Sequence, residues 1–184
     1  MAKVEGEIVK FWTDAGPKRW FRRHPDFDAE IRRLFENVHW EAAKGEHRAW
    51  GTEARGALAL LLLLDQFPRN MYRGTAKAFA TDPLARAVTK DALGAAFDRQ
   101  FTLELQPFFY LPFEHDENPT SQAEAVTRFE AYVERGGDES YLRYARMHAD
   151  LIQRFGRFPH RNLAMGRKST PDELAYLANG GFKG

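Results

Sequence analysis

The sequence contains no cysteine. Disulfides, thiolate metal sites and cysteine nucleophiles are excluded, and the composition fits the cytoplasm. Nor does one charge dominate: 27 Lys and Arg against 26 Asp and Glu leave +1. That balance gives no electrostatic reason to bind nucleic acid or an anionic membrane. Long apolar runs are missing too. The greasiest stretch, Ala57–Leu64, is far shorter than the roughly 20 residues a membrane-crossing helix needs. The charged start, Met1-Ala-Lys-Val-Glu-Gly-Glu, does not read as a signal peptide. No long Gly/Ser/Pro linker splits the 184 residues, which are read as one domain over 1–184 with a loose tail at Gly180–Gly184.

What is present is helical. Apolar residues recur at helical spacing through Val4–Thr13, Pro25–Lys44, Glu53–Gln66 and a segment from Asp138 to Phe155. Prolines and glycines punctuate these runs. Thr52 and Asp82 read as N-caps, Pro68 as a stop, and Asn118-Pro119 as the start of a helix reaching Glu134. Thr170-Pro-Asp-Glu173 reads as a capping box. No alternating pattern is long enough for a strand. The expected fold is all-α, with short loops implying antiparallel stacked helices, about eight in all. Trp12, Trp20, Trp40 and Trp50 crowd the first quarter and suit either a core or an aromatic groove for a peptide.

Three polar segments interrupt this apolar framework. The first runs from Asp65 through Arg69 and Asn70 to Arg73, the second from Leu111 to Glu117 around Glu114 and His115, and the third from Arg154 to Asn162. Phe67-Pro-Arg-Asn70 and Phe158-Pro-His-Arg-Asn162 differ by one inserted histidine. Between Arg69 and Lys77, and again from Leu151 to Ser169, basic residues occur without an acidic one, whereas the middle segment is acidic. Convergence of the three would set a basic floor against an acidic lip. The arginines suit two roles, pairing with carboxylates and helix C-termini or offering forked donors to a bound anion. His148, on the apolar face of its helix, suits a core position or an acid–base role. His115 and His160 flank it in loops. No His-Glu-x-x-His, Gly-x-Ser-x-Gly or Gly-x-Gly-x-x-Gly pattern occurs, and no metal or cofactor is expected.

Long stretches of these segments resemble one bacterial family, domain of unknown function 924. They are Leu64-Asp-Gln-Phe-Pro-Arg-Asn70, Arg73-Gly74 with Ala78-Phe79-Ala-Thr-Asp82, Tyr110-Leu-Pro-Phe-Glu-His115, Arg154 to Asn162, and Gly166-Arg-Lys-Ser-Thr-Pro-Asp-Glu173. The resemblance runs from about Phe11 to Leu177. It implies an all-helical fold that stacks helix pairs like tetratricopeptide-repeat proteins, and it implies no reaction. Asp116-Glu-Asn-Pro119 departs from the pattern, which puts Asp116 and Glu117 in doubt as members of the polar set.

Three functions fit these observations. The first is a binding protein whose pocket, built from Asp65, Arg69, Asn70, Arg73, His160, Arg161 and Asn162, takes a small anionic metabolite or a peptide carboxylate. The second is a hydrolase in which His115 or His148 works with Glu114, with or without the assistance of a metal. The third is an interaction or homodimer surface on the outer helix faces.

Overall fold

Apolar spacing and proline punctuation build the chain, and every regular element among the described residues is a helix. The computed structural model describes residues 4–183. They pack as two units: the chain through Arg73 with Lys77–Pro112, and Gly74–Ala76 with Phe113 onward.

In the first unit, α1 (Val4–Ala15) buries Ile8, Val9 and Trp12, and α2 (Pro17–Trp20) buries Trp20. The Trp20 indole donates to Trp12 O at 2.7 Å, tying the two together. Helix α3 (Pro25–Ala43) buries Phe27, Ile31, Phe35, His39 and Ala42, one stripe at helical spacing. Trp12, Trp20, Phe27, Phe35, Phe67 and Phe108 interlock by stacked and edge-on contacts, which places the first two tryptophans in the core. Trp50 instead stacks on His47.

The central run departs from the sequence expectation at both ends. Thr52 does not cap it: its hydroxyl donates to Ala49 O, and α4 (Ala54–Leu61) starts after Glu53. Gly56 passes so close to Trp50 that a Cβ would lie 2.2 Å from its carbonyl oxygen. Pro68 does not end the run either. A π-helix at Leu62–Gln66 widens the turn, and α5 (Phe67–Met71) continues with Pro68 in its first turn. Phe67 N reaches back to Leu62 O, and proline has no N–H. Three carbonyls facing the wide turn are taken by side chains instead. His39 Nδ1 meets Leu63 O at 2.8 Å, Thr81 Oγ1 donates to Leu64 O at 2.6 Å, and Arg69 Nη1 donates to Asp65 O at 2.5 Å. Leu58 through Leu64 are almost fully buried; each such leucine contributes roughly 1.5–3 kcal/mol. Helix α6 (Asp82–Gly94) starts after Thr81, so Asp82 is its first residue and not its cap.

The second unit is a hairpin with a folded-back C-terminal segment. Helix α7 (Leu111–Glu114) leads into it. As expected, Asn118 caps α8 (Pro119–Glu134) by accepting from Thr120 N and Ser121 N, and Asp138 caps α9 (Glu139–Phe155) by accepting from Ser140 N. The two helices lie antiparallel, with Phe129 stacked on Tyr141 and Arg146 paired to Glu130. Gly156, at φ 70°, stops α9. A turn of 3₁₀ helix at Pro159–Arg161 follows, and the Thr170/Glu173 capping box then opens α10 (Pro171–Ala178). No described helix is long and apolar enough to cross a membrane.

Candidate functional site

The first polar segment sits where the π-helix meets α5, and its charges are matched internally. Arg69 grips Asp82 with both Nη atoms, at 3.0 and 3.1 Å, and lies 3.1 Å from Asp65 Oδ1. Asp65 also accepts from Gln66 Nε2. Asp28 on α3 receives Asn70 Nδ2 at 2.8 Å and Arg73 through Nε at 2.6 Å and Nη2 at 3.1 Å. Asp65, Asn70 and Asp82 are buried.

The second unit repeats this chemistry on Glu173. Arg157 donates to it through Nε at 2.6 Å and Nη2 at 2.8 Å, Asn162 Nδ2 at 3.1 Å and Thr170 N at 2.7 Å. The Arg157 hydrogen bonds lead the causes that bring the Glu173 carboxyl down to about 2. Glu117 accepts from Phe158 N and from Arg167. Burial alone would raise its pKa; the Arg167 and Phe158 donors outweigh it and the net shift is downward. Arg161 stacks over the Phe158 ring at 4.6 Å.

A second group in the same unit is matched far less completely. Glu114 Oε1 lies 2.6 Å from His148 Nδ1, at ion-pair distance but out of line with the ring N–H. Glu114 is 2% exposed and His148 7%. Glu114 Oε2 and His148 Nε2 are buried without a hydrogen-bond partner, as are Gln122 Oε1 and His160 Nδ1. Gln122 holds the turn after Glu114 through Nε2, which donates to Glu114 O and Asp116 O at 2.7 Å each. Phe158 and Phe182 pack edge-on against His148, with centroids at 5.1 and 4.9 Å, and both rings also touch His160. Burial, reinforced by the Arg161 charge, pushes the His160 imidazole down to about 3, so it is neutral near pH 7. The side chain of His115 lies near enough to add a smaller push in the same direction.

Residues 8–181 match the model of a family described as bacterial protein of unknown function, DUF924. The chain belongs to this family. A solved protein of unknown function from Agrobacterium tumefaciens is similar to it at 42% identity and a TM-score of 0.91, covering 96% of this chain and 98% of that one. Proteins of curated function offer no match.

In this DUF924 chain the expected site residues fall into two sets. Asp65, Arg69, Asn70 and Arg73 belong to the first unit, and Glu114, His115, His148, His160, Arg161 and Asn162 to the second. Within the first set Asp65 and Arg69 meet directly, while Asn70 and Arg73 meet on Asp28. Within the second, Glu114 meets His148, and Asn162 joins the Glu173 cluster. Among the described residues no group of three or more His, Asp or Glu is placed to hold a metal ion. Sequence reasoning missed Asp28, which shows nothing but an ordinary first-turn aspartate, and read Asp82 and Glu173 only as cap residues. The missing signal lay in the look-alike motifs. Arg69 and Asn70 of the first motif and Asn162 of the second are polar groups in apolar surroundings, and each meets a carboxylate from elsewhere in the chain.

Proposed function

We propose that this DUF924 protein performs acid–base chemistry on a small polar molecule, most simply a hydrolysis, with Glu114 and His148 as the working pair. The observation that carries the reading is the contact of Glu114 Oε1 with His148 Nδ1 beside an unpartnered His148 Nε2. A carboxylate beside one ring nitrogen stabilises the charged imidazole, and the other nitrogen, buried in the fold, exchanges a proton with a substrate or water once one is admitted beside it. An alternative use of the arginines, as a pocket for an anion, draws less support. The forks of Arg69, Arg73 and Arg157 already hold Asp82, Asp28 and Glu173, and a ligand would have to displace those carboxylates. The balanced charge and lack of cysteine support a cytoplasmic protein.

The test is a panel of chromogenic esters, phosphoesters and amides with wild type, His148→Asn and Glu114→Gln. Loss of a general base costs about 10²–10⁴ in rate, so His148→Asn should abolish any turnover found. Glu114→Gln should shift the pH profile as well as lower the rate. Turnover that survives His148→Asn, or a panel on which wild type is silent, overturns the reading.

A further inference from the structure

Phe182, whose ring packs against His148, also lines a groove of about 620 Å³ in the second unit. Tyr144, Met147, Arg154, Tyr176, Asn179 and Phe182 line it, and none of its lining residues is acidic. Volume and lining suit a small molecule. Three aromatic rings face the space, and Arg154 is its one charge. The Arg154 guanidinium lies 4.5 Å from the Phe155 ring and 5.7 Å from the Tyr176 ring. It has no carboxylate partner among the described residues, unlike Arg69, Arg73, Arg157 and Arg167.

The groove wall is also fixed in place. Gly180 turns the chain at φ 82°, and Gly181 lies so close to Tyr176 that a Cβ would meet its ring at 2.5 Å. Phe182 N then donates to the Tyr176 hydroxyl at 2.8 Å. This folds Phe182 back until its ring touches both His148 and His160. Tyr144, on α9, is 48% exposed and borders the groove.

We infer that this groove binds a small planar carboxylate, its acid group on the Arg154 fork and its ring among Tyr144, Tyr176 and Phe182. A flat aromatic body matches the rings by stacking, and an anion supplies the charge that Arg154 lacks. That such a ligand is also the substrate rests on the acid–base reading of Glu114 and His148. Its binding does not.

Amide NMR of the full chain titrated with benzoate tests the site, with benzyl alcohol and cyclohexanecarboxylate as probes lacking the charge and the flat ring. Benzoate should move the amides of Arg154 and of Tyr176 through Phe182, and both comparison probes should bind more weakly. Arg154→Gln, at an exposed position where folding should be unaffected, should weaken benzoate at least about tenfold, and Arg154→Lys should recover part of that loss. Glu114→Gln, at a residue that does not line the groove, should leave benzoate binding intact, so the groove and the acid–base pair fail separately. Benzoate that binds Arg154→Gln as well as wild type, that moves other amides, or that does not bind overturns the inference.

Discussion

Four hydrogen bonds end on the Glu173 carboxylate, two from Arg157 and one each from Asn162 and Thr170. The side chain is 2% exposed. Glu173→Gln keeps the size but removes the charge from a cluster of donors, leaving at least one of them without an acceptor. It should lower the unfolding free energy by about 2–3 kcal/mol, as measured by urea denaturation at neutral pH. Thr170→Ala deletes only the reciprocal cap and should cost about 1 kcal/mol. Equal costs for the two would mean that Glu173 acts as a helix cap and nothing more. The sequence shows the cap, because Thr-Pro-x-Glu has a fixed spacing along one turn. It hides the rest, because Arg157 and Asn162 lie 16 and 11 positions away and meet Glu173 only through the turn after α9.

The π-helix at Leu62–Gln66 shows the same limit at the scale of an element. An apolar run closed by proline reads as a helix and its stop, since proline lacks the N–H and crowds the preceding turn. Here the extra residue of the wide turn absorbs Pro68, and partners from α3 and from Thr81 complete the carbonyls. Those partners come from distant sequence, so local pattern predicts a break where the chain folds through. A double-mutant cycle tests the account. Thr81→Val leaves Leu64 O buried without a donor and should cost about 1–3 kcal/mol. Pro68→Ala restores an N–H within reach of the same carbonyl, so the Thr81→Val cost should shrink in that background. Denaturant unfolding of the four proteins gives the coupling. Strict additivity would show that Thr81 does not substitute for the missing proline N–H. Elements whose ends are set within one turn were legible by contrast: Asn118, Asp138 and Thr170 each cap the helix their spacing announces.

Across the whole molecule, the class of fold could be read from composition and periodicity, and the division of the polar residues could not. Sequence charge sorted them into basic exits and an acidic loop. The structure instead pairs Arg69, Arg73, Arg157 and Arg167 with carboxylates of their own units and leaves histidines among the buried groups without partners. His39 in the first unit is fully buried, with Nδ1 on Leu63 O and Nε2 unpartnered. Burial lowers its pKa despite the opposing pull of Leu63 O and the Glu36 charge, and burial likewise leads the causes that lower His160 to about 3. Both histidines are therefore held neutral in the fold, while the unfolded chain protonates them near 6.5. Below that pH the unfolded state binds more protons, so stability falls as pH falls. For His160 the loss approaches about 1.4 kcal/mol per pH unit and continues down to about pH 3, and His39 adds a loss of the same sign. Glu173 adds its own loss only below the ordinary carboxylate range, from about 4.5 toward 2. The melting temperature should therefore start to drop between pH 6.5 and 5, before the Glu173 carboxyl takes up its proton. His160→Asn should flatten that limb, and His39→Asn, whose amide can still reach Leu63 O, should flatten it further. A limb that keeps its slope in both variants, with the drop confined below pH 4.5, would assign acid sensitivity to the carboxylates of Glu117 and Glu173 alone.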